Sequence, residues 1–260
     1  MLEEIVGVEL HLDRHAAEPL REARLAADER VGLAARENID CILIETSGVA
    51  LPGAVAQSLS LVAGLRHDAT LVLLDAETAR KLARDKFLSD TILRQLAEAD
   101  LVVLNKTDLV SQEIRADLCA WLGETAPRAK IVQTVFGALA SEIAFGSFAH
   151  SAFVADAPAA HAGAQPQSLS FELNRAVDVP RLAAALSADA LGLVRAKGFM
   201  RDSDGAWKLL QIVGRRADIT DARAPEDGVG RLVCIAHGAP LERAEIKAII
   251  ADCGAPPSSA

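Results

Sequence analysis

Three long runs of consecutive apolar residues, each ending in polar residues, constrain the fold more than any other feature. They are DCILIETSG (40–48), ATLVLLDAE (69–77) and ADLVVLNKTD (99–108), followed by the shorter AKIVQTV (129–135). An unbroken apolar run is typical of a parallel strand that is covered on both faces. Stretches with helical spacing separate the runs, at 55–65, 79–97 and 111–122. This alternation predicts an α/β domain with a parallel sheet, in which ligands bind at the carboxyl ends of the strands.

The pattern changes after residue 150. The segment ADAPAAHAGAQPQ (155–167) has no periodic apolar face and is typical of a linker. Beyond it, alternating strands and two helical stretches predict a small α+β domain, in which WKLLQIVGRRADI (207–219) is interpreted as one strand. The predicted organisation is a helical N-terminal segment without assignment, a parallel-sheet domain, a linker and the small domain, at 1–38, 39–150, 151–167 and 168–260.

Composition excludes several classes of function. The formal net charge of -9 leaves no basic surplus to neutralise phosphates, so neither nucleic acid nor an anionic membrane is an expected partner. The four cysteines are far apart in sequence, which fits a reducing compartment. No apolar stretch reaches the ~18 residues of a membrane span, and the acidic N-terminus lacks the layout of a signal peptide. We therefore expect a cytoplasmic protein.

The run at 99–108 ends in Asn105-Lys106-Thr107-Asp108. An Asn-Lys-x-Asp sequence after a strand matches the element with which GTPases read guanine: the Asp carboxylate accepts from the ring N–H and the exocyclic amine, and the Lys stem covers the base. Adenine would leave that carboxylate unpaired, which provides discrimination. Four residues also arise by chance, so an ordinary polar cluster between strand and turn remains the alternative.

A second polar cluster lies at the end of the first run. Glu45 ends the apolar residues and Gly48 follows three positions later. In phosphate-binding NTPases an acidic residue here orients Mg²⁺ or its waters, and a Gly backbone N–H approaches the terminal phosphate. Glu45 could instead only cap a turn. Both clusters are predicted at strand ends of one sheet, which favours the functional interpretation.

The order of these motifs resembles the CobW-type GTPases, a family of metallochaperone-related proteins. The resemblance covers roughly 39–253 and is carried by IETSGVALP, LVLLDAE, VLNKTDLV, FELN, RAKGFM, LQIVGRR and LVCIAHG. It implies a P-loop-NTPase-like core in residues 39–150, GTP and Mg²⁺ as cofactors, zinc or cobalt as cargo and a client metalloprotein as partner. It also implies site residues: Glu45 for catalysis, and for the nucleotide Gly48, Asn105, Lys106 and Asp108.

The chain departs from that family upstream. The family begins with a phosphate-binding loop, G-x-x-x-x-G-K-S/T, and carries a C-x-C-C metal motif, but this chain contains no Gly-Lys pair and no such cysteine cluster. Leu51 stands where the family usually has Asp. The predicted core is therefore N-terminally incomplete, and the sequence leaves open whether the chain is a truncated GTPase or a degenerate relative.

Two other interpretations start from the remaining charged residues and histidines. The chain could be a non-hydrolysing module that binds a partner through its C-terminal domain, with a basic face formed by Lys197, Arg201, Arg215 and Arg216. Ordinary solvated charge on an edge strand explains the same residues. His11 and His15 are spaced for one helical face, but two ligands do not complete a zinc shell, so no metal site is predicted.

Overall fold

The computed structural model describes residues 6–12, 41–46, 50–62, 65–146, 166–188, 191–238 and 240–254. The described residues form two compact units, one ending at Gln133 and the other beginning at Thr134. No helix within these ranges is long and apolar enough to cross a membrane.

The first unit contains a five-stranded sheet with helices. Its strands are β1 (Val6–Leu12), β2 (Cys41–Thr46), β3 (Leu65–Asp75), β4 (Leu101–Asn105) and β5 (Lys130–Gln133). Its helices are α1 (Pro52–Leu59), α2 (Ala79–Leu82), α3 (Ser89–Glu98) and α4 (Gln112–Thr125), with a 3-10 turn at Thr107–Leu109. The strand order is β2-β1-β3-β4-β5, and β3, β4 and β5 are parallel. The predicted parallel α/β core is confirmed.

Burial explains why the apolar run of β4 is continuous, whereas β2 lies at the sheet edge and its Leu43 is exposed. The first four residues of β4, Leu101 to Leu104, are each at most 1% exposed, so both faces of this strand are covered. Val102 and Leu104 belong to the same core cluster as Leu96 of α3 and Leu122 of α4. A strand buried on both faces has no solvent side on which polar residues could alternate.

Strand β1 corrects the prediction that the N-terminal segment is helical. Residues 6–12 were expected in a helical segment, but they form β1, which pairs antiparallel with both β2 and β3. The sequence VGVELHL places apolar residues at every second position, which is the strand period rather than the helical one. His11 is therefore in a strand, and not on a helical face with His15, which lies outside the described residues together with the rest of 13–40.

The helical stretch predicted at 79–97 is divided into α2 and α3. Asp85 lies between them, and its Oδ1 accepts hydrogen bonds from the backbone N–H groups of Phe87 at 2.8 Å and Leu88 at 3.2 Å. A short acidic side chain that binds the backbone in this way competes with helix continuation and produces a turn. The predicted helix at 111–122 forms as α4, and the Ser111 side chain accepts from the Ile114 N–H at its start.

The second unit contains an antiparallel five-stranded sheet in the order β6-β10-β7-β8-β9. Its strands are β6 (Gln167–Leu173), β7 (Leu193–Arg201), β8 (Trp207–Val213), β9 (Arg216–Asp221) and β10 (Gly230–Ala236). Its helices are α5 (Ser141–Phe145), α6 (Val179–Leu186) and α7 (Arg243–Asp252). Leu182 of α6 and Ile246 of α7 share one core cluster with Met200 and Leu210 of the sheet. The small α+β domain is confirmed.

Residues 207–219 form two strands rather than the predicted single one. Gly214 has a positive φ of 59° and reverses the chain between β8 and β9, which pair antiparallel. Glycine adopts this left-handed backbone without the steric cost of a Cβ, so the Gly-Arg pair ends one strand and starts the next.

The second unit also includes residues that precede the predicted linker. The buried Arg195 of β7 donates from Nε to the carbonyl of Ile143 and from Nη2 to the carbonyl of Ala144, both at 2.6 Å. These carbonyls lie in the last turn of α5, where backbone acceptors have no intrahelical partner. Arg195 thereby attaches α5 to the antiparallel sheet. The boundaries predicted at 38, 150 and 167 remain predictions.

Candidate functional site

The polar residues that end the strands of the first unit lie at one edge of the sheet. Because β1 is antiparallel to both of its neighbours, β2 runs in the same direction as β3, β4 and β5. Glu45, Asp75 and Asn105 therefore share the carboxyl edge. Three inter-strand steps separate β2 from β4, about 14 Å. That separation suits a nucleoside triphosphate whose base lies at β4 and whose terminal phosphate lies at β2.

The loop after β4 has a defined backbone. Lys106 adopts the left-handed conformation, with φ 57° and ψ 34°, and the 3-10 turn follows it at once. Its carbonyl accepts from the Leu109 N–H at 3.1 Å, which closes the turn. Thr107 is buried, whereas Asp108 is exposed, so the Asp108 carboxylate is accessible to a ligand. The structure thus brings three predicted site residues, Asn105, Lys106 and Asp108, into one turn at the sheet edge.

The second predicted cluster is described in part. Glu45 occupies the penultimate position of β2, pairs with Gly7 of β1 and is exposed. Gly48 lies outside the described residues, as do its neighbours at 47 and 49. The carboxyl edge therefore carries an accessible carboxylate at β2 as well as at the end of β4.

The chain after this cluster is held by α3. Gln95 donates from Nε2 to the carbonyl of Ala50 at 2.9 Å, and Glu98 accepts at Oε2 from the backbone N–H of Gly53 at 2.7 Å. Leu51 occupies the N-cap of α1 and supplies no side-chain cap. Glu98 therefore provides the carboxylate that an Asp at position 51 could have provided locally.

Metal-ligand residues are sparse in the described part of the chain. No group of three or more His, Cys, Asp or Glu side chains there is placed to hold a metal ion. Cys41 and Cys119 are partly buried, and Cys234 and Cys253 are buried. Burial raises the pKa of Cys234 to about 12, and burial likewise raises the pKa of Cys119. Neither thiol is therefore an activated thiolate of the kind found at reactive cysteines.

The basic residues proposed for a partner-binding face are distributed over β7, β9 and the turn between β8 and β9. Arg201 is exposed at the end of β7, and Lys197 is half-buried within it. Arg216 forms an ion pair with Asp218, two residues along the same strand. This pairing lowers the positive charge that β9 offers to an acidic partner.

Three contacts at or near the site are not predicted from the sequence. Asp75 at the end of β3 forms an ion pair with Lys106, with 2.9 Å between Oδ2 and Nζ. The run LVLLDAE could have indicated Asp75, because its polar end falls at the same sheet edge as the end of LVVLNKTD. No sequence pattern indicates the contacts of Gln95 and Glu98, because each contact joins residues 45 positions apart.

Comparison with protein families identifies both units. Residues 17–133 match the model described as "CobW/HypB/UreG, nucleotide-binding domain", and 166–254 match "Cobalamin synthesis protein cobW C-terminal domain". The first match ends at the residue that closes the first compact unit. It begins at residue 17, within the N-terminal segment 1–38 for which the sequence predicts no assignment.

Curated relatives and a solved structure are also similar to the chain. It is 35% identical over 104 residues to the zinc-regulated GTPase metalloprotein activator 1 of Schizosaccharomyces pombe, covering 38% of this chain and 25% of the relative. It is 30% identical over 220 residues to the zinc chaperone CobW of Pseudomonas aeruginosa, covering 72% of this chain and 59% of the relative. The chain thus spans less than two thirds of either relative.

One solved structure that is similar to the chain is that of the Zn(II)-bound YjiA GTPase from E. coli. It is 24% identical, with a TM-score of 0.33, and the match covers 79% of this chain and 68% of that one. The two domain matches, in this order along one chain, agree with the two units of the structure. The chain belongs to the CobW family, with its nucleotide-binding domain followed by its C-terminal domain.

Proposed function

We propose that the chain binds a guanine nucleotide at the carboxyl edge of its first sheet and acts as a CobW-type metallochaperone. The observation that carries the proposal is the turn after β4, in which Lys106 is held at the sheet edge and the Asp108 carboxylate is exposed. The names of the two curated relatives, a zinc-regulated GTPase metalloprotein activator and a zinc chaperone, support the metal-delivery part.

Each residue of the turn has a role in base recognition under this proposal. Asp108 accepts hydrogen bonds from the guanine N1–H and the exocyclic amine, a pair that adenine does not offer. The Lys106 stem lies over the base, and Asn105 connects the neighbouring loops. Discrimination follows because a base without those donors leaves a desolvated carboxylate unpaired.

Glu45 is the residue proposed for Mg²⁺ and water. A carboxylate oxygen suits this cation, which keeps several waters and takes its other ligands from the nucleotide phosphates, so an exposed Glu45 fits the group. The bound ion would neutralise the negative charge of the phosphates. Gly48 is proposed to approach the terminal phosphate. The cargo metal, zinc or cobalt, is substrate rather than cofactor.

The base-reading role is tested by exchanging Asp108 for Asn. A carboxamide accepts from N1–H and donates to the second carbonyl of xanthine, so Asp108→Asn should weaken guanine nucleotides and favour xanthosine nucleotides. The mismatch costs about 1–3 kcal/mol, or about ten- to a hundredfold in affinity. Titrations of GDP and xanthosine diphosphate against both proteins measure the exchange.

The control is Asp90→Asn, which removes another exposed carboxylate in the first turn of α3. It should leave both affinities unchanged. Equal losses for the two nucleotides in Asp108→Asn, or a guanine preference that survives the exchange, would remove Asp108 from base recognition. Absence of any guanine-nucleotide binding by the parent protein would refute the proposed function.

A further inference from the structure

Lys106 and Asp75 form the ion pair that links the ends of β3 and β4. The Lys106 side chain is 44% exposed and that of Asp75 is 22% exposed, so the contact lies at the surface of the edge and not in the core. An ion pair at the surface contributes little to stability, but it restricts the direction in which the Lys106 stem leaves the backbone.

Asp75 is itself held in place by the backbone around it. Its second oxygen, Oδ1, accepts from the Glu77 N–H at 2.8 Å. The Ala76 N–H donates to the Asn105 carbonyl at 2.9 Å, which extends the β3–β4 ladder beyond the paired residues Asp75 and Asn105. One oxygen of the Asp75 carboxylate therefore binds the backbone, and the other faces Lys106 Nζ.

The backbone of Lys106 has a conformation that depends on surrounding contacts. Among the described residues, only Lys106 and Phe136 are non-glycine residues with a positive φ. An L-residue in the left-handed region is strained by its Cβ and persists where surrounding contacts stabilise it. Such outliers are concentrated at ligand sites, where strain accompanies pre-organisation.

We propose that Asp75 is a positioning residue for the nucleotide base: it holds the Lys106 stem across the edge between β3 and β4, so that the surface covering the base exists before the nucleotide arrives. The inference rests on the proposed function. A lysine stem contacts the face of any purine, so the contribution of Asp75 is the same for guanine and xanthine. This separates its role from that of Asp108, which depends on the identity of the base.

The test measures the acylation rate of each lysine by mass spectrometry, in the full chain, with and without GDP. In Asp75→Asn, Lys106 should be acylated about two- to fivefold faster, the range expected for loss of a partly exposed ion pair. GDP should protect Lys106 in the parent and less so in the variant. Affinities for GDP and xanthosine diphosphate should fall by the same factor, and Asp75→Glu should restore part of both readouts.

The matched control is Asp221→Asn, which breaks a similar pair in the second unit, where Lys208 Nζ lies 2.7 Å from Asp221 Oδ1. It should accelerate acylation of Lys208 and leave Lys106 protection intact. A folded Asp75→Asn protein that retains parental GDP protection and affinity would overturn the role of Asp75 alone. A parent in which GDP neither binds nor protects Lys106 would refute the proposed function, and the inference with it.

Discussion

At the scale of single residues, Gly198 shows where the backbone leaves no room for a side chain. It lies in β7 and pairs with Leu232 of β10. A Cβ at this position would lie 2.4 Å from the Arg231 carbonyl oxygen and 2.9 Å from the Leu232 Cα. Both atoms belong to the backbone of the neighbouring strand, so they cannot rotate away. The glycine is required by the close approach of two strands.

Gly198→Ala should therefore destabilise the protein by about 3 kcal/mol or more, because the strands must separate to admit the methyl group. Gly123→Ala is the opposite case, since Gly123 lies inside α4 and nothing is within 4 Å of its Cβ position. It should stabilise by about 0.5–1 kcal/mol, the helix-propensity difference. Chemical denaturation of both variants measures the contrast, and equal effects would contradict it.

At the scale of elements, α1 begins with a cap supplied from another helix. Leu51 offers no side-chain acceptor at the N-cap, and Glu98 of α3 binds the Gly53 N–H instead. Helix α1 follows strand β2, which contains Glu45. The position of α3 therefore affects where α1 begins, and α3 supports the candidate site without belonging to it.

Glu98→Ala should cost about 1 kcal/mol of stability, the usual value of a lost N-cap. Adding Leu51→Asp should recover most of it, because an Asp at the N-cap position can accept locally from the first-turn N–H groups. Thermal unfolding of the single and double variants measures the rescue. If Leu51→Asp stabilises the parent as much as it stabilises Glu98→Ala, the two carboxylates do not serve the same cap.

At the scale of the whole molecule, the first family match and the first compact unit both end at residue 133. Residues 134–146 follow β5 directly, yet α5 is bonded to Arg195 of the antiparallel sheet. The CobW C-terminal match begins only at 166. The antiparallel unit therefore contains a short helix, α5, that precedes the residues matched by the CobW C-terminal domain.

The chain should release phosphate from GTP no faster than a buffer blank. It contains no G-x-x-x-x-G-K-S/T loop, so the backbone N–H groups and the Lys that position and neutralise the phosphates are missing. Phosphate release with and without protein is the measurement, with an active GTPase as positive control. Turnover that depends on the protein and is abolished by Glu45→Ala would contradict this expectation.

The sequence alone determined the features that depend on neighbours along the chain. A continuous apolar run is typical of a strand buried on both faces, and LVVL in β4 is such a strand. The Asn105-Lys106-Thr107-Asp108 motif falls where its strand ends because the apolar residues stop there. The short period-2 alternation of β1 is present in the sequence too, but the charged helical pattern that follows it obscures this signal.

Only the tertiary structure decided which distant residues meet. Lys106 and Asp75 are 31 positions apart, and Gly53 and Glu98 are 45 apart. Their contacts depend on β3 pairing with β4 in one register and on how α3 packs, and neither is encoded by local periodicity. Strand order is likewise a property of the folded sheet, since β1 lies between β2 and β3 although it precedes both in sequence. Local sequence patterns determine the helices and strands, and long-range packing determines which of them are neighbours.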